Sequence, residues 1–292
     1  MLQPIQKDDV LLEDLRKADG DADTLHIWRL GNSGFLLKHR GKFLSLDLYL
    51  SEDGDRKSQH APIVDPSKLD MVTAAACTQD APESFDGESL VAIKRATAGD
   101  LRVILPYGIR EEANERLKED RPEILYIDEG LSVSIDGFNL AGIAASPGEI
   151  RRDGIGRCQT VGYVITVGDF RIFHCSETTW YLGLTQALKR LGTFDVFLLP
   201  ISKTKVDSDA EVTNLTSDEA ASLAKTCGVE IVVPSRYDFY EDEAVPTEEF
   251  IGACDRLGQD YEVLRPGERL TLERTSAEES PSEEAAAVET ES

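Results

Sequence analysis

Histidine and cysteine, the side chains that most often bind a catalytic zinc ion, are few and scattered in this sequence. The histidines are His26, His39, His60 and His174, and no two of them lie within five residues of each other. The cysteines form no Cys-x-x-Cys pair: Cys77, Cys158, Cys175, Cys227 and Cys254. Zinc sites commonly take two ligands from one short stretch of chain, so a zinc centre here would need ligands from distant parts. The thiols are expected to be reduced and mostly buried.

Motifs for two other kinds of chemistry are missing from the sequence. The turn Gly-Asn-Ser-Gly-Phe at 31–35 contains two polar residues, Asn32 and Ser33. It lacks the strand–turn–helix context that surrounds a hydrolase nucleophile. No glycine-rich loop of the phosphate-cradling or dinucleotide-binding type occurs in the 292 residues.

The elements that must position any site are predicted from apolar periodicity and turn residues. Helices are predicted at 8–18, 88–98, 109–118, 180–191, 217–226 and 247–257. Strands are predicted at 25–30, 33–39, 42–48, 69–76, 102–106, 124–128, 131–136, 138–146, 160–169, 170–176, 195–200 and 230–235. Each half has meandering strands first and strand–helix alternation after. This pattern favours an α/β (α+β) class of fold, with sheets flanked by helices in one domain. We expect a helical extension at 1–20, the domain at 21–274 and a disordered acidic tail at 275–292.

Composition limits the partners that the chain could bind. The formal net charge is −24, and the segment 275–292 contributes six glutamates and no basic residue. Such a field repels nucleic acid and anionic membranes, which bind through lysine and arginine. No apolar run approaches the roughly 20 residues of a membrane span, and the N-terminus lacks the features of a signal peptide. We therefore expect a cytoplasmic protein that binds a small molecule or another protein, with its oligomeric state left open.

Several short blocks of sequence share their order and spacing with one known family. They are LGNSGFLL (30–37), FLSLDLYLS (43–51), GYVITVGDFRIFHCSETTWYLGL (162–184), DVFLLPIS (195–202) and LTSDEAASLAKTCGVEIVVPSRYD (215–238). From Leu25 to Leu272 the chain resembles the metallo-β-lactamase superfamily, in the branch of L-ascorbate 6-phosphate lactonase and related metal-dependent hydrolases. The resemblance implies a four-layer αββα sandwich of two mixed β-sheets flanked by helices.

The resemblance also implies where a metal centre would lie. The family uses a His-x-His-x-Asp-His motif, a later histidine, a bridging aspartate and a last histidine. The corresponding positions here are Ala76, Thr78, Asp80, Ala81, Ser146 (or Pro147 if the alignment shifts by one residue), Glu177 and Arg236. Only Asp80 keeps the family's residue type, and Glu177 keeps an acid that is one methylene longer. Alanine offers no ligand and arginine is a permanent cation, so the resemblance implies a degenerate site with its metal ligands lost.

Charged residues around this degenerate site suggest which side chain occupies the former metal position. We expect the Arg236 guanidinium to occupy the vacated metal space and to pair with Asp80 and Glu177, because a cation between two carboxylates relieves their repulsion. The alternative is that Arg236 points to solvent. Asp47 and His174 match family residues that lie beside the metal centre. We expect Asp47 to cap or brace a loop and His174 to be structural.

Three functions remain open at this point. The favoured one is a pseudoenzyme without a cofactor, which binds a ligand or a protein through the old cleft. The alternative is a metal-dependent hydrolase of the lactonase or phosphoesterase type. Its divalent metal would be held by Asp80 and Glu177, with Asp47 and Asp238 as further oxygen ligands. The third is an assembly role for the acidic tail and the domain surface.

Overall fold

Two seven-stranded β-sheets form the centre of the molecule. A computed structural model of the chain describes residues 3–21, 23–51, 61–118, 120–202, 214–238, 240 and 244–274. The predicted acidic tail at 275–292 lies outside these described residues. No helix in the described part of the chain is long and apolar enough to cross a membrane.

The elements follow the predicted order closely. The described strands are β1 (Thr24–Gly31), β2 (Gly34–His39), β3 (Lys42–Leu46), β4 (Ala74–Ala76), β5 (Arg102–Pro106), β6 (Glu123–Ile127), β7 (Ser132–Ile135), β8 (Phe138–Ala144), β9 (Val161–Val167), β10 (Phe170–His174), β11 (Val196–Ser202), β12 (Leu215–Thr216), β13 (Ile231–Ser235) and β14 (Arg269–Glu273). The described α-helices are α1 (Asp8–Lys17), α2 (Gly87–Ala96), α3 (Arg110–Arg116), α4 (Leu184–Arg190), α5 (Ser217–Cys227) and α6 (Thr247–Leu257).

Two elements are each five residues shorter than predicted, the largest differences, and each has a local cause. The strand predicted at 69–76 is reduced to β4, because Pro66–Lys68 form a short 3₁₀ turn in which the Asp65 side chain accepts from the Ser67 amide. The helix predicted at 180–191 begins only at Leu184, because the preceding Gly183 has a left-handed φ of 104°. A residue in that conformation cannot continue a right-handed helix.

Both sheets are mixed, as the two-part pattern of the sequence predicts. The first sheet has the order β14-β1-β2-β3-β4-β5-β6, antiparallel as far as β3 and parallel beyond it. The second has the order β12-β11-β10-β9-β8-β7, with β13 paired in parallel to β11. Helices cover the outer faces, which completes the predicted αββα layering.

Apolar side chains fill three layers. Residues such as Ile27, Leu37 and Leu198 lie between the two sheets. A second cluster packs α1, α2 and α3 on the outer face of the first sheet, and a third packs α4, α5 and α6 on the second. Both faces of each sheet are therefore covered, which explains why β2 is buried along its whole length.

Helix α1 is part of the packed structure. Its residues Leu11, Leu12 and Leu15 are buried in the outer cluster of the first sheet. The buried ammonium of Lys38 donates to the carbonyl of Leu15 at 2.9 Å and to that of Ala18 at 2.6 Å, and burial lowers its pKa. A cation at the C-terminal end of a helix satisfies carbonyls that lack intrahelical partners. The predicted extension at 1–20 thus contributes to the core of the domain.

Asp128 is one of the carboxylates that hold the loop between β8 and β9. Asp128 accepts from the Cys158 amide at 2.9 Å and from Arg157 Nη1 at 3.1 Å. Burial alone would raise the pKa of Asp128, but these hydrogen bonds outweigh it and keep the pKa below the usual range. The ionised carboxylate therefore stabilises the loop.

An Asp128→Asn variant is expected to lose roughly 1–2 kcal/mol of stability at neutral pH, because it loses a charge-assisted hydrogen bond. A depressed folded-state pKa stabilises the protein above the unfolded value of about 3.9, and this stabilisation is lost as pH falls through the folded-state pKa. Thermal unfolding of both proteins from pH 7 to pH 3 should show their melting temperatures converging at acid pH. A constant difference would mean that shape and not charge holds the loop.

Candidate functional site

One edge of the two sheets collects the predicted site residues. Strands β1, β3, β4, β8, β10 and β13 all run in the direction that brings their carboxyl ends to this edge. The segments that follow these ends contain the residues predicted from the sequence, including Thr78, Ser146, Glu177 and Arg236. Crevices outside the carboxyl ends of strands are common ligand sites in α/β proteins.

Neutral hydroxyl groups occupy the position of the first histidine motif. Thr78 Oγ1 is hydrogen-bonded to Ser176 Oγ, and Ser84 Oγ lies 3.0 Å from the same Ser176 oxygen. All three residues are fully buried. Ala76 is buried in the apolar layer between the sheets and Ala81 is partly exposed. These contacts join the segments that follow β4 and β10, and none of the three hydroxyl groups carries a charge.

Asp47 braces this cluster from β3. It accepts from the Thr78 amide at 2.7 Å and from Thr78 Oγ1 at 3.1 Å, and its other oxygen lies 2.5 Å from His174 Nε2. Asp47 and His174 are both buried, and Asp47 has a left-handed φ of 43°. The bracing role of Asp47 and the structural role of His174 stay predictions, which these contacts favour.

Arg236 pairs with Glu177, the position of the family's bridging acid. Arg236 Nη2 lies 2.8 Å from Glu177 Oε1, and the two side chains are only 8% and 16% exposed. The predicted second pair is not formed: Asp80 is exposed, and no described ion pair joins it to Arg236. That half of the prediction was wrong because Asp80 lies in the turn after β4, on the surface.

The four carboxylates proposed as oxygen ligands do not converge. Asp47 is bonded to Thr78 and His174, Glu177 to Arg236, and Asp238 to the buried guanidinium of Arg29. Asp80 is exposed. Across the described residues, no group of three or more His, Cys, Asp or Glu side chains could hold a metal ion. The donor set therefore does not fit the metal centre that the family resemblance implies.

Ser146, the position of the family's later histidine, is hydrogen-bonded to the segment after Glu177. The carbonyl of Ser146 accepts from the Thr179 amide at 2.7 Å, and its amide donates to Thr178 Oγ1 at 3.3 Å. Ser146 thereby fixes the segment that follows Glu177. Two thiols near the site are poor nucleophiles, because burial raises the pKa of Cys77 and of Cys175.

Three polar residues of the site were not predicted from the sequence. Asn32 Nδ2, Ser33 Oγ and Ser235 Oγ are buried atoms without a hydrogen-bond partner in the described part of the chain. The two turns that carry them touch, since the Arg236 amide donates to the Asn32 carbonyl at 3.2 Å. Asn32 and Arg236 both have left-handed φ angles, 45° and 61°. The available signal was the Gly-Asn-Ser-Gly turn, because asparagine adopts this conformation more readily than most residues.

Comparison with known proteins identifies a family model and a curated relative that match this chain. Residues 68–236 match the family model described as a beta-lactamase superfamily domain. A curated protein of Methanopyrus kandleri, named as a UPF0173 metal-dependent hydrolase, is 26% identical over 253 residues, which cover 84% of this chain and 98% of that protein.

Solved structures of low sequence identity show the same fold. A metallo hydrolase from Ignicoccus hospitalis superposes with a TM-score of 0.65 at 17% identity, covering 86% of this chain and 100% of that one. A possible metal-dependent hydrolase from Veillonella parvula superposes with a TM-score of 0.67 at 15% identity, again covering 86% of this chain and 100% of that one.

Proposed function

Because the chain belongs to the beta-lactamase superfamily, we propose that it is a catalytically silent member that binds a small molecule or a protein at the strand-end cleft. In this proposal the metal centre implied by the fold has been replaced by protein side chains. The superfamily membership supplies the fold and the place of the cleft. The replacement rests on the residues of this chain.

The ion pair between Arg236 and Glu177 is the observation that carries the proposal. Arginine stays protonated at any working pH and repels a divalent cation. Here it is held 2.8 Å from the one acid that matches the bridging position, with both side chains largely buried. A metal ion at Glu177 would have to displace this guanidinium. At the other ligand positions the ion would then find alanine, threonine, serine and the exposed Asp80.

A metal-dependent hydrolase of the lactonase or phosphoesterase type is the second candidate. It is favoured by the name of the Methanopyrus relative and by the two acids that remain, Asp80 and Glu177. It requires Asp80 to turn inward and Arg236 to leave Glu177. We also propose a cytoplasmic location, because the five cysteines are free and buried, as is usual in a reducing compartment.

Metal content tests the proposal directly. The full chain is purified without chelator, dialysed against zinc, manganese and magnesium in turn, and measured by elemental mass spectrometry. We expect near-zero stoichiometry and no metal-dependent rise in the melting temperature. Stoichiometric metal that disappears in Asp80→Ala or Glu177→Ala would contradict the proposal and favour the hydrolase. Asp218→Ala, which removes an exposed acid paired with Arg256, is the matched control.

A further inference from the structure

Two opposite charges lie side by side at the carboxyl ends of the strands. The nearest atoms of Arg236 and Glu177 are 2.8 Å apart, and both side chains keep some exposure. Within the described residues, the Glu177 carboxylate is bonded by Arg236 alone. A carboxylate offers about four lone-pair sites, so Glu177 has capacity for a further donor. A guanidinium has a planar set of donors that matches a carboxylate.

Buried polar atoms next to Arg236 provide an independent indication of a ligand. Asn32 Nδ2, Ser33 Oγ and Ser235 Oγ belong to residues that are at most 2% exposed, and none of these atoms has a hydrogen-bond partner among the residues that the structure describes. Each such group costs about 1–3 kcal/mol. Asn32 and Arg236 also have left-handed φ angles. Strained backbone and buried polar groups without partners both occur often at binding sites. The hydrogen-bonding capacity of Asn32, Ser33 and Ser235 suits a ligand oxygen close to Arg236.

The charge of the protein narrows the class of ligand. The net charge of −24 opposes the approach of an anion. A simple cation would be attracted by that field but would meet Arg236 in the cleft. A ligand with one positive and one negative charge satisfies both side chains and carries no net charge. Since the two protein charges are one hydrogen bond apart, the two ligand charges must also be close together.

We propose that the cleft binds a free α-amino acid, with its carboxylate on Arg236 and its ammonium group on Glu177. In an α-amino acid one carbon separates the two charged groups, which matches the short separation of Arg236 and Glu177. This inference rests on the proposed function, because it requires the cleft to bind a ligand and to lack a metal at Glu177.

Isothermal titration of the full chain with each of the twenty common amino acids tests the inference. The tightest binder is then compared with its N-acetyl form, which lacks the ammonium charge, and with its amide, which lacks the carboxylate. We expect each analogue to bind at least tenfold more weakly. Equal binding of the amino acid and either analogue would overturn the inference, and so would the absence of binding by all twenty.

Charge-removing variants assign the two contacts. Glu177→Gln should abolish the preference for the amino acid over its N-acetyl form, and Arg236→Gln should abolish the preference over its amide. Arg256→Gln, which breaks the exposed pair of Arg256 with Asp218, should leave both preferences unchanged. Preferences that survive in both site variants would contradict the assignment. Failure of the amino-acid titrations in a metal-free protein would refute this inference alone, whereas stoichiometric metal would refute the proposed function.

Discussion

Replacing Arg29 by methionine is expected to lower the free energy of unfolding by about 3–5 kcal/mol, because it leaves a buried carboxylate without its counter-charge. The Arg29 and Asp238 side chains are 0% and 4% exposed. Nη1 of Arg29 donates to one Asp238 oxygen at 2.9 Å, and Nη2 donates to the other. Burial works to lower the pKa of Arg29, but the charge of Asp238 outweighs it and raises the pKa above the usual range.

Denaturant unfolding measures this effect, with the midpoint and the slope fitted separately. Arg256→Met is the matched control, since its ion pair with Asp218 is exposed and should change stability by less than about 1 kcal/mol. A similarly small change for Arg29→Met would show that the buried pair contributes little.

The same variant should also disturb the cleft. Arg29 Nη2 donates to the Asn32 carbonyl at 3.3 Å, and Nη1 donates to Tyr237 Oη at 3.1 Å. Arg29 therefore fixes both turns that meet at Asn32 and Arg236. Asp238, considered from the sequence as a metal ligand, instead holds Arg29 in the position from which Arg29 bonds both turns.

Replacing Asp47 by alanine is the other large expected effect, a loss of about 3–4 kcal/mol. The variant leaves the Thr78 amide and His174 Nε2 buried without their acceptor, and bonds to a charged group contribute about 1.5–3 kcal/mol each. Alanine also tolerates the left-handed φ of 43° less well than aspartate does.

Asp47→Asn separates these contributions. Asparagine keeps an acceptor for the Thr78 amide and tolerates the left-handed backbone, so we expect it to lose only about 1–2 kcal/mol. Thermal and denaturant unfolding of the two variants side by side gives the comparison. Equal losses in the alanine and asparagine variants would indicate that the charge of Asp47, and not its backbone and acceptor geometry, provides the stability.

Local pattern explains why most elements could be predicted and a few could not. Strands such as β5 and helices such as α6 have the predicted bounds, because their apolar spacing and turn residues are all local. Helix α4 begins late because of the left-handed φ of Gly183, which periodicity does not reveal. The predicted start of the strand at 69–76 was wrong for a similar reason, since a 3₁₀ turn precedes β4.

The candidate site shows the same limit more sharply. The pair of Arg236 and Glu177 could be predicted because the family resemblance aligns both positions on one cleft. The pair of Arg29 and Asp238 could not, since its members are 209 residues apart and Arg29 lies within the apolar strand β1. Asn32 Nδ2 and Ser33 Oγ lack hydrogen-bond partners in the described part of the chain because of how two turns pack together. No sequence pattern predicts that packing.

The pairing of β14 with β1 has a consequence for how the chain folds during synthesis. Thr24 pairs with Glu273 and Trp28 with Arg269. The backbone groups at the outer edge of β1 therefore stay unpaired until a segment about 250 residues later has been synthesised. At 5–20 residues per second this delay is about 12–50 s on the ribosome. An uncovered strand edge is a template for pairing with other chains. Nascent chains are therefore expected to be most prone to aggregation, and most dependent on chaperones, until β14 emerges and closes the first sheet.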